Sequence, residues 1–295
     1  PLDVVLSKAR YFLADGAFIF LFAVLFGAGF SIMMGPFGRR AEGIGTGAYY
    51  RRLLMIGFLG LLHVQLFWWG DILMLYAMAG AWLPMFLRRS DRNLLRWAAA
   101  LICVPALLLM ASIVLMASGA DSQDWAESYD AETQVWIESL LERYRSGHFA
   151  VVAQARWDEF WYNSWTAWLT VPMALGYMLL GLWLARRDGF ALKASSDRFF
   201  RHCIWVAGIL ALVGKGGYAY GIYGAGAVVD TIAFLFGYML GGPALGMVYF
   251  CLLRRLYRMG QASGLRSGFE AVGRMALTNY LMQSMIASGL FYGYG

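Results

Sequence analysis

Apolar stretches of about 20 residues, separated by short arginine-rich connections, recur along this chain of 295 residues, and that spacing decides most of what it can fold into. A helix rising about 1.5 Å per residue needs about 20 residues to cross a hydrocarbon layer of about 30 Å. The stretches fall near 16–34, 51–69, 71–87, 97–117, 166–185, 203–222, 228–252 and 274–295. Lipid offers the backbone no hydrogen-bond partners, so each block is expected to satisfy its own N–H and C=O groups as a helix. The expected fold class is therefore all-α, a polytopic transmembrane bundle of about eight spans forming a single membrane domain over 1–295.

Composition enters as a check on this reading. Charged residues make up 14% of the chain and hydrophobic residues 60%, whereas a soluble domain carries about a quarter charged. Disorder, a coiled coil and a β-barrel are excluded on the same grounds. Cys103, Cys203 and Cys251 are odd in number and lie inside apolar blocks, so neither a disulfide framework nor a metal site is expected. The net charge of +6 does not imply nucleic acid as a partner, because the basic residues sit between hydrophobic blocks. There they act as orientation signals. The partner these features imply is the lipid bilayer.

Orientation follows from Lys and Arg alone. Alternate connections hold Arg39, Arg40, Arg51 and Arg52, then Arg88, Arg89, Arg92 and Arg96, then Arg186, Arg187, Lys193, Arg198 and Arg201, and finally Arg254, Arg255, Arg258, Arg266 and Arg274. The other side keeps only Lys8, Arg10, Arg143, Arg145, Arg156 and Lys215. The positive-inside rule makes the first set cytoplasmic, as in a multi-pass protein of a bacterial inner membrane. Strict alternation puts both ends of the sequence outside. With Pro1 in place of an initiator Met, this leads to the expectation of an excerpt from a longer protein, with at least one further span before Pro1.

The one long connection, 118–165, is then external, and it is acidic. Within it Trp125, Tyr129, Trp136, Leu140 and Tyr144 recur at helical spacing and form one apolar stripe, predicting an amphipathic helix at the outer surface. Trp157, Trp161, Trp165 and Trp168 lead into the next span, where indoles favour the headgroup level. The loop reads equally as an anchor and as a lid.

Ionisable groups inside spans are expensive, at about 2.5 kcal/mol or more near the bilayer centre, and so mark candidate sites. His63, twelve residues after Arg51, lies about 18 Å along its helix. It is either a neutral imidazole bonded to a neighbouring backbone or a proton-transfer group. Asp71, in the external hairpin Trp68-Trp69-Gly70-Asp71, is placed to cap the next helix through the N–H of Leu73 or Met74, and also to receive a proton or substrate. Asn279 and Gln283 share a helix face in the last span. Gln283 and Ser284 fall in the same layer as His63, which predicts one interior cavity lined by His63, Gln283 and at least one of Asn279 and Ser284. Lys215, in a glycine-rich stretch, is expected to pair with Asp230 across the turn 223–227.

Several of these residues sit in motifs that resemble a known family. Leu25-Phe26-Gly27-Ala28-Gly29-Phe30, Gly60-Leu61-Leu62-His63, Trp69-Gly70-Asp71-Ile72-Leu73 and Tyr76-Ala77 resemble the core of the YeiB-like bacterial membrane proteins. The stretch Gly273-Arg274-Met275-Ala276-Leu277-Thr278-Asn279-Tyr280-Leu281-Met282-Gln283-Ser284 is similar to that family's most distinctive signature, and Tyr144-Arg145-Ser146-Gly147, Arg156 and Gly181-Leu182-Trp183-Leu184 fit it as well. The family carries domain of unknown function 418 and is distantly grouped with multi-pass membrane acyltransferases. That grouping implies acyl transfer from a cytosolic donor, acyl-coenzyme A being the candidate, to an external acceptor. In such a reaction His63 would be the base and Asn279 or Gln283 the oxyanion donors, with the inner arginines holding the anionic donor. A small-solute or proton-coupled transporter would use the same buried polar groups and predicts discontinuous helices. A purely structural role would use them only to join helices.

Overall fold

A computed structural model of the chain describes residues 2–35, 44–117, 122–187, 197–221, 233, 236–259 and 263–292. Regular structure among them is helical throughout, with no strand. The helices are α1 (Leu2–Leu13), α2 (Ala17–Met33), α3 (Ile44–Leu66), α4 (Leu73–Gly80), α5 (Asp91–Ala117), α6 (Ser122–Arg145), α7 (Phe149–Asn163), α8 (Ala167–Arg186), α9 (Asp197–Gly221), α10 (Gly242–Met259), α11 (Ser263–Arg274) and α12 (Ala276–Phe291).

Among the described residues, five stretches are long and apolar enough to cross a membrane: Val5–Met33, Asp91–Ser112, Phe149–Arg186, Arg198–Gly217 and Phe236–Arg258. The protein is thus a polytopic helical membrane protein; the described residues hold five such stretches, and the expected count of about eight is not confirmed. The blocks at 51–69, 71–87 and 274–295 are helical but fall short of that mark. α3 has the length, but Arg51, Arg52, His63 and Gln65 dilute its apolar character. α12 has 16 residues. α4 has only eight residues and gives way to a 3₁₀ turn over Leu83–Phe86.

Proline explains that last break. Pro84 has no N–H to donate to the carbonyl of Gly80 four residues earlier, so the α-ladder cannot continue. The orphaned carbonyl is taken instead by the buried Tyr49 hydroxyl at 2.6 Å, and the next one, on Ala81, by Tyr50 at 3.1 Å. Both tyrosines come from α3, so the break ties α3 to α4.

The core is organised around α8, which packs against α2, α4 and α5 and is buried along most of the stretch from Leu169 to Leu184. Two glycines set its crossing with α2. A Cβ on Gly27 would lie 1.9 Å from the Met178 carbonyl oxygen, and one on Gly181 would lie 1.9 Å from that of Val24. The two backbones touch, the arrangement by which helices associate in lipid, where apolar side chains gain little from leaving it.

α1 and α2 belong to one apolar stretch interrupted at Gly16, whose φ of 75° is left-handed and whose missing Cβ would meet the Tyr238 carbonyl at 2.9 Å. The interruption leaves carbonyls at the end of α1 without helical donors. The buried Lys215 ammonium of α9 supplies them, donating to Tyr11 O at 3.0 Å and also to Asp15 O. A cation at a helix C-terminus also complements the dipole. Lys215 therefore binds a broken helix; its expected partner Asp230 lies outside the described residues. Beside this break a turn of π-helix over Phe236–Gly241 precedes α10.

The 118–165 region folds as a hairpin of α6 and α7, closed by Arg143–Asp158 at 2.6 Å and by Tyr144 OH donating to Glu159 at 2.5 Å. From the expected stripe, Trp136 stacks on Tyr162 at 4.1 Å and Leu140 is buried; the side chains of Trp125 and Tyr129 lie outside the description. α7 packs on α3 and runs through a 3₁₀ turn, Ser164–Thr166, into α8. Two of the arginine-rich connections meet: Arg186 donates to the carbonyl of Arg89 and Arg187 pairs with Asp91 at 2.9 Å.

Candidate functional site

The site forms where α3 ends and α4 begins. The backbone N–H groups of Phe67 and Trp68 both return to the His63 carbonyl, and the chain turns through Gly70 so that Asp71 arrives beside the imidazole one helical turn back. Asp71 Oδ1 stands 3.1 Å from His63 Nδ1, and neither side chain has any exposed surface. The other carboxylate oxygen accepts the N–H of Met74 at 2.6 Å, the cap that the sequence predicts. Gly60, one turn before His63, makes room: a Cβ there would lie 2.6 Å from Asp71 Oδ2 and 2.7 Å from Met74 N.

Tyr280 of α12 completes the cluster. Its hydroxyl donates to Asp71 Oδ1 at 3.2 Å and accepts from the Ile72 N–H at 3.5 Å, and its ring stacks on the imidazole with centroids 4.8 Å apart. Asp71 thus faces a backbone N–H, a phenol and an imidazole at once. The His63 Nδ1 contact is close enough for an ion pair but is not aligned as a hydrogen bond, and Nε2 has no hydrogen-bond partner among the described residues. Catalytic hydrogen bonds are often loose before substrate binds. With Nδ1 turned to the carboxylate, an Nδ1–H tautomer would leave the lone pair on Nε2, the arrangement in which a carboxylate orients a general base.

Next to Tyr280 opens a chamber of about 420 Å³ lined by Trp68, Tyr280, Gln283, Ser284, Ser288 and Tyr292, among others. Residues 280, 284 and 288 step by four along α12 and form its wall. Ser288 donates to the Phe67 carbonyl at 2.6 Å, and the same oxygen receives Arg156 Nη1 at 3.5 Å. Arg156 is wholly buried, its guanidinium 5.5 Å from the Tyr292 ring. Tyr292 in turn stacks on Tyr144 at 4.7 Å, so the α6–α7 hairpin sits against the end of α12. Burial, and then the hydrogen bond to Glu159, push the Tyr144 phenol up from its ordinary range.

Of the residues singled out in the sequence, the structure brings His63 and Asp71 into contact and turns both inward. Gln283 lies on the chamber wall but on an exposed part of α12. Asn279 stands apart, its amide donating to Val272 O at 3.2 Å across the break between α11 and α12. His63 does not line the chamber; Tyr280 lies between them. Sequence reasoning passed over Ser288 and gave no role to Tyr280, which it noted only within Thr278-Asn279-Tyr280; their signal was the four-residue step through Ser284. A second cavity of about 500 Å³, between α9 and α10, is lined by Phe200, Arg201, Cys251, Arg254, Arg255 and Arg258, with Arg254 4.2 Å over the Phe200 ring. No group of three or more His, Cys, Asp or Glu able to hold a metal ion occurs among the described residues.

Over 94% of its length the chain is 32% identical to a Bacillus subtilis (strain 168) protein, "Uncharacterized protein YxaH", covering 67% of that relative. Residues 184–295 match the family described as "Protein of unknown function (DUF418)". The chain belongs to the DUF418 family. A second relative, "Uncharacterized protein YeiB" of Escherichia coli (strain K12), is 28% identical over 94% of this chain and 69% of its own length. No solved structure matches. The DUF418 match takes in Tyr280, Gln283, Ser284 and Ser288, whereas His63, Asp71 and Arg156 precede it.

Proposed function

We propose that this protein is a membrane-embedded acyltransferase of a bacterial inner membrane in which His63 is the general base and Asp71 its orienting carboxylate. The observation that carries the reading is the wholly buried His63–Asp71 pair with Nε2 left unoccupied. In the reaction, Nε2 takes the proton of an acceptor hydroxyl or amine as its oxygen or nitrogen bonds to the thioester carbonyl carbon. The C–S bond then breaks and the proton passes to the departing thiolate. Gln283, on the chamber wall, is the side-chain amide available to the oxyanion, and the reaction requires Tyr280, which separates His63 from the chamber, to move aside. Asn279, held by Val272, would need to turn to join it. The arginine-lined cavity suits the phosphates of a donor such as acyl-coenzyme A, and its residues fall on the side assigned to the cytoplasm. The grouping with membrane acyltransferases is an analogy of family and supplies no residue roles.

The test is transfer of radiolabelled acetyl from acetyl-coenzyme A to membrane-derived acceptors by the purified protein. His63→Ala should abolish transfer while the melting temperature falls little. Absence of transfer and of any donor binding by the wild type would refute the reading.

A transport reading is favoured by one feature, the interruption of the first apolar stretch at Gly16 with Lys215 on its carbonyls and the neighbouring π turn. Transporters build substrate sites at such broken helices. Solute or proton flux in proteoliposomes without any acyl donor would select it.

A further inference from the structure

Among the described residues Arg156 has no counter-ion. Its side chain is completely buried on α7, yet no carboxylate lies within 4.0 Å of it among the described residues. The two nearest acids along its own helix are engaged elsewhere: Asp158 takes Arg143 and Gln154, and Glu159 takes the Tyr144 hydroxyl. Among the described residues only Nη1 of the guanidinium has an acceptor, the Phe67 carbonyl, and Nε and Nη2 are buried without one. Nε and Nη2 form one edge of the guanidinium, the edge whose parallel N–H groups grip a carboxylate or phosphate in two hydrogen bonds. The Tyr292 and Phe149 rings, 5.5 and 5.6 Å from the guanidinium carbon, give it a partial π partner and no acceptor for that edge. A buried charge left uncompensated is strongly destabilising, so an anion placed on the unsatisfied Nε–Nη2 edge would bind favourably.

The surroundings indicate where that anion comes from. The Phe67 carbonyl that holds Nη1 also holds Ser288, and both Ser288 and Tyr292 line the chamber of about 420 Å³ beside the His63 cluster. Among the described residues the chamber is lined by aromatic rings, Ala287 and hydroxyl or amide groups, with no charged side chain on its wall. We propose that Arg156 is the anchor of an oxyanion-binding site at the Ser288–Tyr292 wall, taking the carboxylate or phosphate group of a ligand whose uncharged part occupies the chamber. A small anionic solute and the headgroup of an anionic lipid present the same chemistry. The proposal stands whether or not the protein transfers acyl groups.

The experiment is thermal unfolding of the purified protein at constant ionic strength. Detergent samples compare sodium phosphate and acetate with chloride, and nanodiscs compare phosphatidylglycerol with phosphatidylcholine. A melting temperature raised by phosphate or acetate identifies a soluble oxyanion, and one raised only by phosphatidylglycerol identifies a lipid headgroup. Arg156→Gln should remove the response while melting in chloride no lower than the wild type, because it removes an unpaired buried charge. Arg156→Lys keeps the charge and loses the two-pronged edge, and should weaken the apparent affinity by about tenfold or more. It decides the matter if the glutamine variant cannot be purified. A wild type indifferent to all these anions would overturn the proposal. So would an Arg156→Gln protein that melts lower yet keeps the full response, or wild-type affinity in Arg156→Lys. The last two results would leave Arg156 as a cap for the end of α3.

Discussion

The Tyr280 ring lies 4.8 Å from the His63 imidazole while its hydroxyl donates to Asp71, the carboxylate that faces the same imidazole. One side chain from the far end of the chain therefore fixes both the plane of the imidazole and the direction of its carboxylate. Tyr280→Phe keeps the stack and removes the hydroxyl, leaving the buried carboxylate short of one donor and the Ile72 N–H without its acceptor. A loss of about 1–3 kcal/mol of stability is expected, together with a larger drop in whatever turnover the His63 site supports. Thermal unfolding in detergent and an activity assay on the same sample check the two parts. An unchanged melting temperature would mean that the hydroxyl contact carries no weight.

His63 and Asp71 should behave as a unit. Removing Asp71 leaves the buried His63 Nδ1 without the carboxylate beside it, and removing His63 leaves Asp71 held only by Tyr280 and the Met74 N–H, whereas removing both takes away the contact itself. A double-mutant cycle with His63→Ala and Asp71→Ala is expected to give a coupling of about 0.5–3 kcal/mol. Asp71→Ala also deletes the Met74 cap, so its single cost should exceed that of His63→Ala by about 1 kcal/mol. Strictly additive losses would separate the two residues energetically.

Local chemistry was legible in the sequence, and the partnerships that complete the site were not. The apolar blocks give helices, the Trp68–Asp71 hairpin gives the turn, and Asp71 caps through Met74 because a cap acts over three residues. Tyr280 to Asp71 spans 209 positions and Lys215 to Tyr11 spans 204, and no periodicity encodes such pairs. Counting helical rise sets the depth of a residue but leaves the rotation of its helix free. For that reason Gln283 shares a layer with His63 yet ends on an exposed part of α12, while Ser284, its neighbour, is buried. The break after α4 could have been read from Pro84; that Tyr49 and Tyr50 close it could not.

Tyr49 and Pro84 make a testable pair. Tyr49→Phe strands the Gly80 carbonyl and is expected to cost about 1–3 kcal/mol. In a Pro84→Ala background the restored N–H can reach that carbonyl, so the same substitution should cost distinctly less. Equal costs in both backgrounds, measured by thermal unfolding, would disconnect the tyrosine from the proline.

The assignment of sides predicts thiol labelling. In a cysteine-free protein, Glu138→Cys on the exposed face of α6 should react with an impermeant maleimide added to intact cells, while Arg92→Cys should react only after the membrane is opened. The inverse pattern would reverse the orientation and move the arginine-lined cavity to the outside.

Gly60 is the least conspicuous member of the site and gives the sharpest test of its geometry. It carries no functional group, so a change there alters only space. A methyl group at this position would come within 2.6 Å of Asp71 Oδ2 and 2.7 Å of Met74 N, and the backbone nitrogen has little room to give way because it begins α4. Gly60→Ala must therefore push Asp71 away from His63, part α3 from α4, or do both. Overpacking of this kind costs about 1–3 kcal/mol, offset in part by the better helix propensity of alanine, about 1 kcal/mol. The expected outcome is a modest fall in melting temperature with a disproportionate loss of function, since a displacement of about 1 Å in a catalytic pair can cost about a hundredfold in rate. Gly29, in α2, has no atom within 4 Å of its added Cβ and serves as the control, where alanine should leave function unchanged and raise stability by up to about 1 kcal/mol through helix propensity alone. Wild-type stability and function in Gly60→Ala would mean that α3 and α4 are not held as closely as the His63–Asp71 contact requires.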